Sequence, residues 1–143
     1  MLLYLDNCCF NRPYDNQSHS PIYLETQAKL YVQEQILIGQ HDLIWSYILQ
    51  FENNQNPHIA HKYEIAKWKD LSKHLIAASD DIIANAKRYQ GLGLHVKDAL
   101  HCACAVKANA DFFLTTDKQL ITKASAITEL KVINPLRFIE EDA

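Results

Sequence analysis

The sequence predicts an α/β protein, folded as a three-layer α/β/α sandwich with a central parallel five-stranded sheet. Short apolar runs alternate along the chain with longer amphipathic segments. Strands that alternate with helices build a parallel sheet that helices cover on both faces. The 143 residues include only three glycines and no low-complexity linker, so residues 1–143 are predicted to form a single domain.

The first half of the chain has two predicted strands and three predicted helices. The run before Asp6 is apolar throughout, as expected of a strand that is buried on both faces. Ser20 and Pro21 begin a long helix, since serine is a good N-cap and proline fits the first helical position. Ser46 caps a short helix, which ends before Pro57 because a residue that precedes proline leaves the α region. The strands are 2–5 and 42–45, and the helices are 20 to about 39, the segment after Ser46 that holds Phe51 and Glu52, and about 58–71.

The second half of the chain repeats the alternation with three strands. Ser79 or Asp80 caps a helix that ends near Tyr89, because Gly91 and Gly93 break the pattern there. The next helix carries a stripe of small apolar residues, which lets it pack close to the sheet. The predicted strands are 75–78, 112–114 and 131–133, and the predicted helices are 80–89, 97–109, 118–126 and a terminal turn after Asn134 and Pro135.

Composition and charge exclude several classes of protein. The net charge of −3 argues against a protein that coats nucleic acid indiscriminately. Neither a secretory signal nor a membrane-length apolar segment is present in the sequence, and we expect a cytoplasmic location without membrane contact. The four cysteines occur as Cys8-Cys9 and Cys102-x-Cys104, which lack the usual zinc spacing. They are predicted to be reduced and buried.

Four acidic residues fall where an open parallel sheet binds its ligands, outside the carboxyl ends of the strands. Asp6 closes the first strand, and Asp117 follows the fourth strand. Glu52 lies in the helix after the second strand, and Asp98 opens the helix before the fourth. Carboxylates that converge on one cleft repel each other, and Mg²⁺ or Mn²⁺ relieves that repulsion. Such an ion also activates water for attack on a phosphodiester.

Each acid, taken alone, also has an ordinary structural explanation. Asp6 or Asp117 would serve equally as the cap of the helix that follows. Glu52 would be a solvated helix residue, and Asp98 a charge favoured by the helix dipole. Because all four fall at the same edge of the predicted sheet, we favour the metal-binding interpretation.

The acidic segments resemble the conserved blocks of the PIN domain, and the resemblance runs from Leu2 to about Phe138. It is carried by residues 3–7 (LYLDN), Glu52 within 46–52 (SYILQFE), 97–101 (KDALH) and 110–117 (ADFFLTTD). The stretch from Gly93 to Asp117 is the most specific part. The resemblance implies a PIN-like fold and a metal-dependent endoribonuclease, and small members of the family are often VapC-type toxins paired with an antitoxin protein. It assigns metal binding to Asp6, Asp98 and Asp117, with Glu52 as the acid of the second block.

Further residues are candidates for contacts with the substrate. By the resemblance, Thr115 or Thr116 orients the ligand network or a water at the substrate site. Arg12 and Lys118 are candidates for contact with backbone phosphates. Lys97, which directly precedes Asp98, is a third candidate. Taken singly, each of these three cations is more often an ordinary solvated charge than a phosphate contact.

Aromatic residues and one histidine complete the set of candidates. His101 follows Asp98 by one helical turn, and we predict that it supports or packs against the carboxylates rather than binding the metal. Trp45 is predicted to belong to the core, whereas Trp68 covers the cleft or joins a dimer surface. Tyr23, Tyr31 and Trp68 lie on predicted helices, and together with the resemblance they predict a homodimer.

Three functional hypotheses follow from these observations. The first is an endoribonuclease that uses Mg²⁺ or Mn²⁺ to hydrolyse single-stranded or looped RNA. The second is a catalytically weak PIN-fold binding module that acts through a protein partner. The third, a haloacid-dehalogenase-like phosphatase or a receiver domain, is disfavoured. Cys8 stands where the phosphatase needs a second Asp, and a strand that begins at Leu2 leaves no place for the acidic pair of a receiver.

Overall fold

The computed structural model describes residues 1–142. Its strands are β1 (Leu2–Leu5), β2 (Asp42–Ser46), β3 (His74–Ile76), β4 (Phe112–Leu114) and β5 (Val132–Ile133). Its α-helices are α1 (Asn7–Asn11), α2 (Ser20–Leu37), α3 (Tyr47–Asn54), α4 (Ile59–Leu71), α5 (Asp80–Gln90), α6 (Val96–Lys107), α7 (Lys118–Ala124) and α8 (Pro135–Asp142), and Arg12–Tyr14 forms a 3₁₀ turn. All strand pairs are parallel, in the order β3-β2-β1-β4-β5. The predicted α/β fold with a central parallel five-stranded sheet is confirmed.

Strand β1 occupies the centre of the sheet and determines where the acidic residues meet. Leu3 is in register with Leu43 of β2 on one side and with Phe112 of β4 on the other. The backbone N–H of Asp6 donates to the carbonyl of Leu114 at 2.9 Å, so the ends of β1 and β4 are tied together. Residues that follow these two strands therefore emerge side by side at the carboxyl edge of the sheet.

Helix α6 packs closely because its buried face is made of small residues. Ala99, Cys102 and Ala103 are fully buried, which agrees with the stripe predicted from the sequence. All four cysteines are free thiols, and burial raises the pKa of the Cys102 thiol, which keeps it unreactive. Trp45 is also buried, as predicted. Within residues 1–142, every helix is too short or too polar to span a lipid bilayer.

Several elements differ from the prediction in their bounds, and three of the differences have a clear physical reason. Helix α1, with the 3₁₀ turn after it, was not predicted, because a segment this short offers too few residues to show a helical period. Strand β3 begins at His74 rather than at residue 75 and ends at Ile76, since its pairing with β2 sets its bounds and its apolar residues do not. The chain ends in the eight-residue helix α8 rather than in a single turn. Phe138 anchors that helix in the core.

Candidate active site at the carboxyl edge of the sheet

Asp6 stands at the end of β1 with its carboxylate held on both oxygens. Its Oδ1 accepts from the backbone N–H of Asn7 at 2.8 Å, so Asp6 caps α1. Its Oδ2 accepts from the Thr115 hydroxyl at 2.8 Å and from the Cys8 thiol at 3.4 Å. The residue is buried, and these donors offset the loss of water around its charge. The capping and the site explanations of Asp6 are therefore compatible.

Thr115 connects Asp6 to Asp117 across two neighbouring strands. Its hydroxyl donates to Asp6 and accepts from the backbone N–H of Asp117 at 3.1 Å. The Asp117 Oδ1 caps α7 through the backbone N–H groups of Gln119 and Leu120. Within residues 1–142, the other oxygen of Asp117 makes no hydrogen bond. The Thr115 hydroxyl therefore bridges the Asp6 carboxylate and the backbone of Asp117, and its role towards a ligand or a water stays a prediction.

Glu52 reaches the site through His101. The imidazole of His101 is buried between two partners: Nε2 donates to the Glu52 carboxylate, and Nδ1 lies 2.5 Å from the Tyr4 hydroxyl. The Tyr4 hydroxyl in turn lies 2.6 Å from the Ser46 hydroxyl, which also caps α3. The same Nε2 lies 3.9 Å from Oδ1 of Asp6. A single buried side chain therefore places Glu52 beside Asp6.

His101 takes a positive charge more readily than an isolated histidine. Burial alone lowers the pKa of an imidazole, but the hydrogen bond with Glu52 and the negative charge of Asp6 outweigh it, so the pKa of His101 is raised above 6.5. Its two nitrogens are occupied by Glu52 and Tyr4. This placement agrees with the predicted supporting role of His101.

Asp98 lies near the start of α6 and is half-buried. Within residues 1–142, its carboxylate makes no hydrogen bond. Burial raises the pKa of the Asp98 carboxyl above 3.8, and the like charges of Asp6 and Asp117 raise it further, against the lowering effect of nearby histidines. Three aspartates from different elements therefore act on one another electrostatically.

The donor atoms at this edge of the sheet are carboxylate oxygens, the ligands that Mg²⁺ and Mn²⁺ prefer. Two of the acids, Asp98 and Asp117, keep oxygens that no donor in residues 1–142 occupies, and the mutual repulsion among the acids favours a cation. As the side chains of residues 1–142 stand, no group of three or more His, Cys, Asp or Glu is arranged to hold an ion. The chemistry of the donor set fits a divalent metal.

The predicted substrate contacts have different surroundings. Arg12 is already engaged, since its Nε and Nη2 donate to Glu25 at 3.1 and 2.9 Å and its Nη1 donates to Asp15 at 3.0 Å. Lys118 is exposed at the first position of α7, whereas Thr116 is buried directly before Asp117. Contacts of these residues with RNA stay predictions.

Two residues at the site were not singled out in the sequence. Tyr4 carries the hydroxyl that holds His101, and Cys8 contacts Asp6 through its thiol. A signal for Tyr4 exists: side chains two residues apart in a strand share a face, so Tyr4 lies on the same face as Asp6. A polar hydroxyl in an otherwise apolar run also needs a buried partner. Cys8 lies in α1, which was not predicted, so no comparable signal existed for it.

Comparison with known proteins supports the fold. No protein-family model and no curated relative matches the chain. Among solved structures, the chain matches one chain of the crystal structure of VapBC2 from Rickettsia felis bound to a DNA fragment from their promoter. The match has a TM-score of 0.58 and 14% sequence identity, and it covers 94% of this chain and 98% of that chain. At this identity the likeness establishes the fold alone, and the PIN-like fold predicted from the sequence is confirmed.

Proposed function

We propose that the chain is a metal-dependent endoribonuclease that hydrolyses RNA phosphodiester bonds. Its active site would be formed by Asp6, Glu52, Asp98 and Asp117. The observation that carries the proposal is that Asp6, Asp117 and Glu52 are placed around shared hydrogen-bond partners at one edge of the sheet, while Asp98 is coupled to Asp6 and Asp117 through charge. Thr115 joins Asp6 to Asp117, and His101 joins Glu52 to the surroundings of Asp6. Asp6 is buried and Glu52 and Asp98 are half-buried, and carboxylates in such positions need a compensating charge.

The proposed cofactor is Mg²⁺ or Mn²⁺. Asp6, Asp98 and Asp117 would hold the ion, and Glu52 would bind a second ion or position the attacking water. When bound, such an ion supplies positive charge for the phosphodiester and lowers the pKa of water. The proposed site assigns no covalent nucleophile: the four acids bind metal or water, and Thr115 and His101 position them. The proposed attacking group is therefore water.

The other residues of the site act by positioning. The Thr115 hydroxyl and the Asn7 N–H fix the Asp6 carboxylate on both oxygens. His101, held by Tyr4 from behind, fixes the Glu52 carboxylate. Preorganisation of this kind places catalytic groups before the substrate arrives, which reduces the reorganisation that accompanies the reaction.

The test of the enzymatic activity uses purified protein and a mixed RNA pool, with Mn²⁺ and then with EDTA. We expect cleavage only with Mn²⁺. Asp98→Asn should lower the rate on the order of a hundredfold, because a metal contributes several kcal/mol to the transition state. Asp70→Asn, which removes an exposed acid of α4, is the matched control and should cleave like the parent. Identical RNA profiles with Mn²⁺ and with EDTA, across a range of substrates, would reject the proposal.

Thermal melts separate metal binding from activity. The metal-free Asp98→Asn protein should melt at or above the temperature of the parent, because one repelling charge is gone. Mn²⁺ at a hundred times its dissociation constant should stabilise the parent by roughly 2.7 kcal/mol and the variant much less. If Asp98 were only a favourable helix charge, Asn would destabilise the protein by about 0.3–1 kcal/mol and leave the metal response unchanged. An unchanged metal response would remove Asp98 from the proposed ligands.

We further propose that the chain is the toxin of a toxin–antitoxin pair in the cytoplasm. The matched structure is a VapBC2 assembly with promoter DNA, and its likeness to this chain supports the proposal. Expression of the chain alone should arrest growth. Co-expression of a small DNA-binding protein encoded by the neighbouring gene should restore growth. The alternative, a catalytically weak binding module that acts through a protein partner, predicts capture of the partner without RNA cleavage and without growth arrest.

A further inference from the structure

A cavity of about 260 Å³ lies among α1, the 3₁₀ turn, α2 and α4. None of the four acids of the proposed active site lines it. Its lining combines aromatic and aliphatic side chains with three polar ones, Lys29 and Gln33 of α2 and Glu64 of α4. The residues that matter for its chemistry are Phe10, Tyr14, Lys29, Gln33, Glu64 and Trp68.

Within residues 1–142, two hydrogen-bond donors of the cavity lining have no acceptor. Lys29 is 5% exposed and Gln33 is 6% exposed. Within residues 1–142, Lys29 makes neither a hydrogen bond nor an ion pair, and its Nζ lies 5.9 Å from the centre of the Phe10 ring. The side-chain nitrogen of Gln33 is buried and has no partner among the same residues. Buried polar groups without partners are rare in proteins, because each one carries its full desolvation penalty.

The charge of the cavity indicates which acceptor would satisfy these donors. Lys29 supplies one positive charge and Gln33 a neutral N–H donor, whereas Glu64 adds a negative charge that is shared with Lys67 at 2.8 Å. A dianionic phosphate would exceed the single positive charge and meet repulsion from Glu64. A carboxylate carries one negative charge and accepts from two donors at once.

The lining of the cavity indicates what the carboxylate is attached to. The rings of Phe10, Tyr14 and Trp68 lie on its walls together with aliphatic side chains. Such walls favour a flat or branched apolar body over a hydrated one. We propose that this cavity binds a carboxylate carried by an apolar, preferably aromatic, body through Lys29, with Gln33 as a second donor once its side chain turns towards the ligand. The carboxylate belongs either to a free organic acid or to the terminal residue of a peptide chain.

The experiment titrates the full chain with matched charged and neutral probes and follows backbone amide shifts by NMR. Benzoate represents the free acid, and benzamide is its neutral counterpart. N-acetylphenylalanine represents a peptide terminus, and its amide is the neutral counterpart. We expect at least one acid to bind about tenfold more tightly than its amide, with shifts centred on α2 and α4. The acid that binds more tightly identifies the source of the carboxylate.

Variants then test the two donors. Lys29→Met keeps the length of the side chain and removes its charge, and it should weaken binding of the preferred acid by about tenfold or more. Gln33→Leu should weaken binding less. Lys87→Met, which removes an exposed lysine of α5, should bind like the parent. A spectrum that keeps the dispersion of the parent shows that each variant is folded.

A second readout follows the Lys29 ammonium directly. A bound carboxylate favours the charged amine, so the side-chain carbon resonance next to Nζ should titrate at a higher pH in the presence of the preferred acid. The proposal is overturned if acid and amide bind equally, if inorganic phosphate binds more tightly than either acid, or if Lys29→Met binds as the parent does. It is also overturned if neither acid shows saturable binding at tens of millimolar.

Discussion

Replacement of Lys29 by Met should stabilise the ligand-free protein at neutral pH. Burial lowers the pKa of Lys29 from 10.5 to about 8, against a raising effect of the neighbouring Cys9. Each unit of difference between the folded and unfolded pKa values is worth about 1.4 kcal/mol. At pH 7 both states carry the charge, so the folded state bears a penalty on the order of 3 kcal/mol that the methionine variant does not bear.

The dependence on pH distinguishes this penalty from a packing effect. Between pH 8 and 10.5 the unfolded state binds the proton and the folded state has released it, so the stability of the parent rises with pH across this window. The advantage of Lys29→Met should therefore be largest below pH 8 and should shrink as the pH approaches 10.5. Changes caused by other titrating groups occur in both proteins and cancel in the difference.

Urea unfolding of parent and variant at pH 7 and at pH 10 measures this difference. Lys87→Met is the matched control, and its free energy of unfolding should stay within about 0.5 kcal/mol of the parent at both values. A difference between Lys29→Met and the parent that is the same at both values would mean that packing, and not charge burial, sets it. A variant that is less stable than the parent at pH 7 would refute the reasoning.

Three further predictions concern other parts of the molecule. Tyr4→Phe leaves the Nδ1 of His101 without its hydroxyl partner, so it should lower stability by about 1–3 kcal/mol and reduce Mn²⁺-dependent cleavage, as measured by melts and RNA assays. Hydrogen bonds from Tyr89 and Arg88 lower the pKa of Glu129 to about 2. Glu129→Gln should therefore be less stable than the parent above pH 4.5, and this difference should disappear as the pH falls towards 2. Because this site is largely exposed, the effect should stay below about 1 kcal/mol in acid-titrated melts. The chain should be a homodimer through its exposed apolar helix surface, and light scattering that shows only monomer at tens of micromolar would contradict this.

The sequence predicted the sheet and its acidic edge because both depend on local patterns. β1 and β4 follow from short apolar runs, the first of which stops directly before Asp6 and the second of which is separated from Asp117 by two threonines. The partners of the acids were harder to predict. Tyr4, Ser46 and His101 are separated by as many as 97 positions in the chain. The pairing of β1 with β2 brings Tyr4 and Ser46 together, and α6 adds His101.

The buried face of α2 could not be predicted for a different reason. Glu25, Lys29 and Gln33 follow one another at four-residue intervals, so they share one face of the helix. Charged and amide side chains usually mark the solvated face, yet all three are buried. Within residues 1–142, one of these three side chains has hydrogen-bond partners: Glu25 accepts from Arg12 and from Asn134. The sequence contains no signal that Lys29 and Gln33 lack partners among the same residues.

The same face of α2 limits how Arg12 can serve the proposed enzyme. Glu25 is buried, so removal of its guanidinium partner would leave a buried charge with only the amide of Asn134, which is strongly destabilising. The pair with Asp15 is different, because Asp15 is exposed and an exposed pair contributes about 0–1 kcal/mol. A phosphate can therefore replace Asp15 at Nη1 while Nε and Nη2 stay on Glu25. If Arg12 contacts RNA, it does so through Nη1, with Glu25 fixing the direction of the guanidinium.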